Sequence, residues 1–554
     1  MSASAHGFIG SHLQPFTELL PLKMAMFDPH KLLQLSKMMK ADFDTLKDGP
    51  DPEENLWVPA GYTYFAQFVD HDLTFDSTSS LNPADRPPQG SHIPSNLRTP
   101  RFDLDNVYGD GPDAQPFMYD SDGATLLTGT NDLLRAPNGR AIIGDKRNDE
   151  NSIVCQIQLG MIRYHNTIVA ALKTEPPDTW NVPNDLFASA QNEVRWTYHL
   201  ILVQDFLPRI IKHEVLADLE GQTPHERKGA YALYTKEKRA NLPREFVGAA
   251  YRYGHSGVRF GYRLNTITIL SIFKGTKPPV VDDSLLGFDP LPTTHVIDDW
   301  GRFFPASAPG ADIGLTGRVA AGDHPDTQVQ LQYAYKLDAT IVDPLAVLPL
   351  IVPEPHAADQ AAAAIAPDAL PTYPGQDGPN PLPSLALLNL LRGNTYGIAT
   401  GQSFVHALRL AGKPVTVIDP HRIVVRVSTD ATPVGDDPNA PDKPQAFQWT
   451  APPEDFATRT PLWFYVLAEA QAPIVQAIPG DTSRVFTETQ LLNGPGALSQ
   501  LGWVGGRIIG EVFYALLDED ADSVFNHPAA HGFVPRFARG PGGLTCMRNL
   551  LDFK

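Results

Sequence analysis

Eight stretches of this chain carry apolar residues at spacings of three and four, and that periodicity restricts it to a mainly α fold. They run Tyr62 to Leu73, Asn151 to Leu172, Leu186 to Leu207, Arg244 to Tyr253, Leu385 to Leu391, Gly401 to Leu410, Thr460 to Ala472 and Val504 to Leu517. Pro461 in the first turn of the seventh and Pro473 beyond its end mark its boundaries. Strand signals are few, and Val415 to Val427 is the best candidate for a small hairpin. Between the helices lie loops at about 278–292, 352–384 and 429–444, which the 52 prolines should leave ordered but irregular. There is no internal repeat.

The formal net charge of −19 argues against nucleic-acid binding and against a basic membrane patch. Two cysteines, Cys155 and Cys546, exclude a disulfide scaffold, cysteine-rich zinc sites and cysteine-ligated iron–sulfur clusters. No apolar run reaches about 18 residues, so no transmembrane helix is expected. The first residues show no charged region followed by an apolar one, so no signal peptide is expected. The compartment stays open between cytoplasm and non-classical export.

Five segments carry chemistry. In Phe65 to Thr74, Gln67 and His71 share a helix face, with Asp70 and Asp72 about 100° round on either side. Taken alone, this reads equally as a helix end with surface acids. In Thr99 to Gly109, Thr99, Asp103 and Asp105 alternate in a way that suits a hard, oxygen-seeking cation such as Ca²⁺, or simply a polar turn. Gly144 to Glu150 opens a long helix and sets Arg147 and Glu150 on one face; the alternative is a charged helix N-terminus. Tyr251 to Ser256 contains His255, and Leu388 to Gly393 contains Asn389 and Arg392. Neither of these last two is distinctive by itself. His213-Glu214 begins a zinc-protease pattern that Ala217 breaks, and no phosphate-binding glycine loop is present.

The order of the five segments resembles that of the animal haem peroxidases, the peroxidase–cyclooxygenase superfamily. That family runs Q-x-x-D-H-D, a Ca²⁺ loop ending V-Y-G, G-D-x-R-x-x-E, R-Y-G-H and L-N-x-x-R-G. All five stand here between Gln67 and Gly393, and Arg163-Tyr-His165-Asn166 is similar to the family's R-E-H-N. The resemblance extends to Glu511 to Leu517 near the C-terminus. It implies one large helical catalytic domain over residues 1–554, with core motifs in 62–393 and a helical C-terminal part in 394–554.

The resemblance also implies roles. His71 becomes the distal acid–base residue, which takes a proton from one peroxide oxygen and returns it to the other. Arg147 stabilises the charge that grows as the O–O bond breaks, and Gln67 holds water or halide. His255 binds the haem iron, Asn389 orients it, and Arg252 and Arg392 belong to the proximal haem pocket. Asp70 and Glu150 match the carboxylates that form ester links to haem b. Asp72, Thr99, the Arg101 carbonyl, Asp103 and Asp105 match the Ca²⁺ ligands. The implied partners are hydrogen peroxide and a small electron donor, a halide or a phenol.

There are departures from the family. Asn151 follows Glu150 where sulfonium-linked members have methionine, so that third bond is not expected. Arg392-Gly-Asn-Thr-Tyr-Gly397 replaces R-G-R-D-H-G. The family's usual disulfides are missing. Two other functions compete with a peroxidase. A fatty-acid dioxygenase of the same superfamily would need a radical tyrosine three residues before His255, where Arg252 stands. A non-catalytic adhesion protein would have no need of both His71 and Arg147.

Overall fold

The computed structural model describes residues 14–41, 53–75, 95–96, 98–221, 223–234, 241–273, 283–311, 331–346, 384–429, 446–477, 485–487 and 498–552. Nearly all of the loops expected at 352–384 and 429–444, and the first five residues of that at 278–292, lie outside these residues. The described chain is mainly α, with short two- and three-stranded sheets.

Helix Gly61–Leu73 sits at the centre, packed against helix Ser152–Leu172 and the 3-10 turn Ala250–His255. Phe65, Phe68, Val69 and Leu73 fill its buried face, and all belong to a core that also takes in Ile153, Ile157 and Phe513. The long helix Ser152–Leu172 starts where the Asn151 side chain accepts hydrogen bonds from the Ile153 and Val154 N–H groups at 3.1 and 2.9 Å. Such a cap satisfies donors that the first helical turn leaves open.

Two of the family-like motifs serve as scaffold. His165 Nε2 donates to the Ala124 carbonyl at 2.9 Å, so its Nδ1 accepts from the Tyr108 hydroxyl at 3.1 Å. Asn166 pairs with both backbone groups of Leu126. Glu511, buried in helix Trp503–Glu519, accepts from the Ala232, Leu233 and Tyr234 N–H groups and pairs with Arg507. These contacts bind segments remote in sequence onto two helices.

Four elements differ from the expectation. The helix from Leu186 is α-helical only to Ile201, π-helical over Leu202–Phe206 and α-helical again over Leu207–Ile210. Pro208 lacks the N–H that the carbonyl four residues back requires, and the ladder widens there. The helix from Arg244 ends at Gly248, and Ala250–His255 forms a separate 3-10 turn after a break at Ala249. Arg252 Nε satisfies the Val247 carbonyl at 2.9 Å across that break. Pro473 lies inside helix Leu462–Ala477 instead of beyond its end. The expected hairpin is absent: Pro420 sits in a 3-10 turn, and only Val425–Ser428 is a strand, paired antiparallel with Ala446–Thr450, which also pairs with Val485–Thr487.

Candidate active site

His71 lies near the C-terminal end of helix Gly61–Leu73 and is buried. Its Nδ1 is 2.7 Å from Asn148 Oδ1, and its Nε2 makes no hydrogen bond among the described residues. Burial, reinforced by the nearby positive charge of Arg147, lowers its pKa to about 4, so the ring is neutral near pH 7.

The segment that supplies Asn148 is held by close backbone packing. A Cβ on Gly144 would stand 2.7 Å from the Gly109 nitrogen and nearer still to the Asp105 carbonyl, so only glycine fits. The next residue, Asp145, donates its N–H to the Asn106 carbonyl at 3.1 Å. Its carboxylate caps Arg147 N at 2.9 Å and accepts from Arg147 Nε and Nη2 at 3.1 and 2.8 Å, and from Arg98 Nη2 at 2.7 Å. Burial opposes ionisation of Asp145, but Arg147 and Arg98 outweigh it and hold the carboxyl well below its ordinary range. Arg147 also donates to the carbonyls of His71 (3.2 Å) and Thr74, and stacks over the Phe75 ring at 4.9 Å. It is therefore locked onto the end of the His71 helix.

Gln67 Nε2 donates to Glu150 Oε1, and Asn151 Nδ2 donates to Gln67 Oε1 at 3.2 Å. Burial raises the Glu150 pKa to about 7 against the pull of Arg147 and Gln67. The half-buried Asp70 carboxylate makes no hydrogen bond among the described residues.

His255 ends the turn Ala250–His255, with its Nδ1 2.7 Å from the Asn389 amide on helix Leu385–Thr395. Burial, with Arg252 and Arg392 adding to it, lowers the His255 pKa to about 3, which leaves a neutral imidazole with a lone pair to offer. With Asn389 Nδ2 toward the ring, Asn389 Oδ1 is buried without a donor. Turned over, that amide accepts Nδ1–H and leaves the lone pair on Nε2. Tyr251 OH donates to the Ala66 carbonyl at 3.2 Å and joins this turn to the His71 helix.

These groups suit haem. Gln67, Asp70, Arg147, Glu150, His255, Arg252 and Arg392 are only half-buried, and burial is the main influence on the pKa of both Glu150 and His255. Arg392 Nε is buried without an acceptor among the described residues, and a propionate is the kind of group that would satisfy it. Imidazole is a ligand that haem iron takes, and guanidinium is a partner that propionates take.

Both carboxylate oxygens of the fully buried Asp72 also make no hydrogen bond among the described residues. Burial, then the charges of Asp103 and Asp105, push the Asp72 carboxyl well up; burial and Asp103 do the same to Asp105. Thr99 Oγ1 lies 2.7 Å from Asp103 Oδ2 and 3.5 Å from Asp105 Oδ2. A cation would relieve that repulsion. Among the described residues, however, no three acidic, histidine or cysteine side chains already converge at metal-binding separation. The side chain of Arg101 points elsewhere, 3.5 Å from Asp520.

A separate cavity of about 240 Å³ lies behind Asp149 and Ser152 and is also lined by Cys155, Asp283 and His295. Ser152 Oγ is 3.1 Å from His295 Nδ1, and His295 Nε2 is 2.8 Å from Asp283. Four main-chain N–H groups near this Ser–His–Asp run are already taken. Asn151 occupies the Ile153 and Val154 N–H groups, and the Glu150 and Asp149 carbonyls occupy those of Gly287 and Phe288. It is a structural tie. Sequence reasoning assigned nothing to Asp145, Asn148, Arg98, Asn106 or Gln158. Asp145 is the acid of the G-D-x-R-x-x-E motif, and Asn148 adjoins Arg147; the other three carried no signal.

Residues 90–277 match the family model for the animal haem peroxidase. That span includes Thr99 to Asp105, Arg147, Glu150 and His255, but not His71 or Asn389. Among solved structures, peroxidase A from Dictyostelium discoideum is 15% identical, with 98% of this chain and 96% of that one covered and a TM-score of 0.53. The fatty acid alpha-dioxygenase of Arabidopsis thaliana is 14% identical, with 97% and 75% covered and a TM-score of 0.47. That of Oryza sativa, as a single-residue variant with palmitic acid, is 15% identical, with 97% and 85% covered and a TM-score of 0.44. No curated protein matches the chain in sequence. The similarity to peroxidase A is one of fold.

Proposed function

From the premise that residues 90–277 carry an animal haem peroxidase domain, we propose that the chain reduces hydrogen peroxide and oxidises a small donor such as a halide or a phenol. Bound haem would supply the redox-active iron. His255 would hold the iron through Nε2, Asn389 would fix its ring, and Arg252 and Arg392 would be the cations of the proximal haem pocket. His71, neutral near pH 7, accepts the peroxide proton at Nε2 and returns it to the departing oxygen. Arg147 places positive charge beside it, and Gln67 holds water or halide. Asp70 and Glu150 are the carboxylates for ester links to the haem. Asp72, Thr99, the Arg101 carbonyl, Asp103 and Asp105 are the oxygen donors for a structural Ca²⁺.

One observation carries this reading. Two histidines each have Nδ1 tied to an asparagine side chain and Nε2 uncommitted among the described residues, on elements that touch through Tyr251 and Ala66. One lone-pair nitrogen suits iron and the other suits a proton. A dioxygenase is less well supported, because Arg252 stands three residues before His255 and the Tyr251 hydroxyl is engaged with the Ala66 carbonyl. Among the described residues no helix is long and apolar enough to cross a membrane.

The test is to purify the protein with haem supplied and follow peroxide consumption with bromide, iodide and a phenol. Donor-dependent turnover supports the assignment. Haem uptake without turnover on any donor, together with oxygen consumption on a fatty acid, would replace it with the dioxygenase.

A further inference from the structure

We propose that Asn148 and Gln158 are positioning residues which, with the main-chain carbonyl of Asn106, form a one-way relay of amides that keeps the His71 proton on Nδ1 and leaves Nε2 as the proton acceptor. The proposal deepens the peroxidase reading and rests on it for its chemistry, while the relay itself stands on geometry.

The direction follows from the fixed end. A main-chain carbonyl can only accept. Gln158 Nε2 is 3.1 Å from the Asn106 carbonyl, so the amide nitrogen of Gln158 must face it. Gln158 Oε1 is then turned to Asn148 and accepts from Nδ2 at 2.8 Å. Asn148 is left with Oδ1 for His71, at 2.7 Å from Nδ1. Because Oδ1 has no proton to give, Nδ1 must carry one. A neutral imidazole protonated at Nδ1 has its lone pair on Nε2, the form that takes a proton from a hydroperoxide.

The relay is hard to invert. Asn106, Asn148 and Gln158 are each 0% exposed, so solvent cannot replace a lost partner. Turning both amides over would set the Gln158 oxygen against the Asn106 carbonyl and leave buried acceptors facing each other. A buried polar group left unmatched shifts an equilibrium by about tenfold or more. The fixed end is itself anchored twice. Asn106 Nδ2 donates to the Phe68 carbonyl at 3.0 Å in the His71 helix, and its carbonyl also accepts Asp145 N at 3.1 Å. The carbonyl that sets the polarity is thus tied both to the histidine it controls and to the segment that carries Arg147.

The test reads the ring directly. Full-length protein labelled with ¹⁵N-histidine is loaded with haem, reduced and held with carbon monoxide so that the iron is diamagnetic. His71 is identified by its loss in His71→Gln. The expected wild type has a protonated Nδ1 and an unprotonated Nε2. Asn148→Leu raises the Nε2–H population at least about tenfold and lowers the rate of reaction with peroxide in proportion to the lost tautomer. Asn148→Asp, which keeps the acceptor, holds the wild-type protonation of Nδ1. Gln158→Leu frees the Asn148 amide to turn and gives a mixture, so the relay remains testable if Asn148→Leu does not fold. A merely structural role would destabilise all three variants without moving the ring signals. A wild type protonated at Nε2, or Leu variants that retain the wild-type tautomer, overturns the proposal. If the chain takes up no haem, the same spectra are recorded on the purified protein. In that case the peroxidase reading fails while the ring signals still decide the relay.

Discussion

Removing the Asp145 carboxylate should cost both stability and the setting of Arg147. Its side chain is 1% exposed, and it pairs with Arg98 and Arg147, whose side chains are 17% and 23% exposed. Breaking a fully buried pair by deleting one partner costs about 3–5 kcal/mol. The part-exposed arginines recover some hydration, so about 2–4 kcal/mol is expected for Asp145→Ala. An unfolding entropy of about 2.1 cal/mol/K per residue over 554 residues amounts to about 1.2 kcal/mol/K. If unfolding is cooperative, the melting temperature then falls by about 2–3 °C. Asp145→Asn keeps an acceptor for Arg147 N and should lose less. The folded-state pKa of Asp145 is depressed, so its contribution is full above the ordinary carboxylate range and fades only as pH drops below it. Circular-dichroism melts of the haem-loaded variants at pH 7 and pH 3 read this difference, and stopped-flow mixing with peroxide reads Arg147. An Asp145→Ala protein that melts with the wild type and reacts at its rate would refute the argument.

Glu150 gives the opposite pH signature. Its folded pKa of about 7 lies above the ordinary value of 4.5, so the folded state retains a proton that the unfolded state has lost. Stability contributed by this site therefore falls as pH rises between those values, by up to about 3 kcal/mol. Glu150→Gln should flatten that decline in melts from pH 5 to 8 on protein not yet exposed to peroxide. Asp72→Ala with Asp103→Ala should abolish stoichiometric calcium in elemental analysis and lower the melting temperature; a wild type without calcium contradicts the site. After peroxide treatment, acid-organic extraction should leave haem on the wild type and release it from Asp70→Val, Glu150→Gln. Complete release from the wild type removes the ester links and leaves the peroxidase reading in place.

The helical class was legible because burial imposes a period of three to four on Tyr62 to Leu73, Ser152 to Leu172 and Trp503 to Glu519. The ends were less so. Pro473 resembles a helix stop, yet a helix can absorb one missing hydrogen bond when packing on both sides favours continuation. The π segment at Leu202–Phe206 has no periodic signature of its own. Val415 to Val424 has strand-like composition, but Pro420 breaks the run and pairing begins only at Val425.

At the candidate site, motif order pointed to His71, Arg147, His255 and Asn389. The structure brings Asn148 against His71 and Asn389 against His255. The partners that fix those groups were not legible. Gln158 reads as a polar position on a helix, and Asn106 as a turn residue; their importance arises from a carbonyl and two amides meeting across three elements. Neither propensity nor spacing encodes that meeting. The residues proposed for Ca²⁺ lie between these cases: Asp72, Asp103 and Asp105 are close enough to repel one another, but among the described residues they do not converge at metal-binding separation.

The account turns on His71 as the residue that moves the peroxide proton. Its most direct test is stopped-flow mixing of peroxide with haem-loaded wild type and His71→Ala across pH 3 to 8. The wild type should react rapidly and evenly at neutral pH and slow as pH falls through about 4, where His71 becomes charged. His71→Ala should bind haem yet react about 10²–10⁴-fold more slowly, with that acid limb gone. Equal rates in the two proteins would contradict the role of His71 and, with it, the peroxidase assignment.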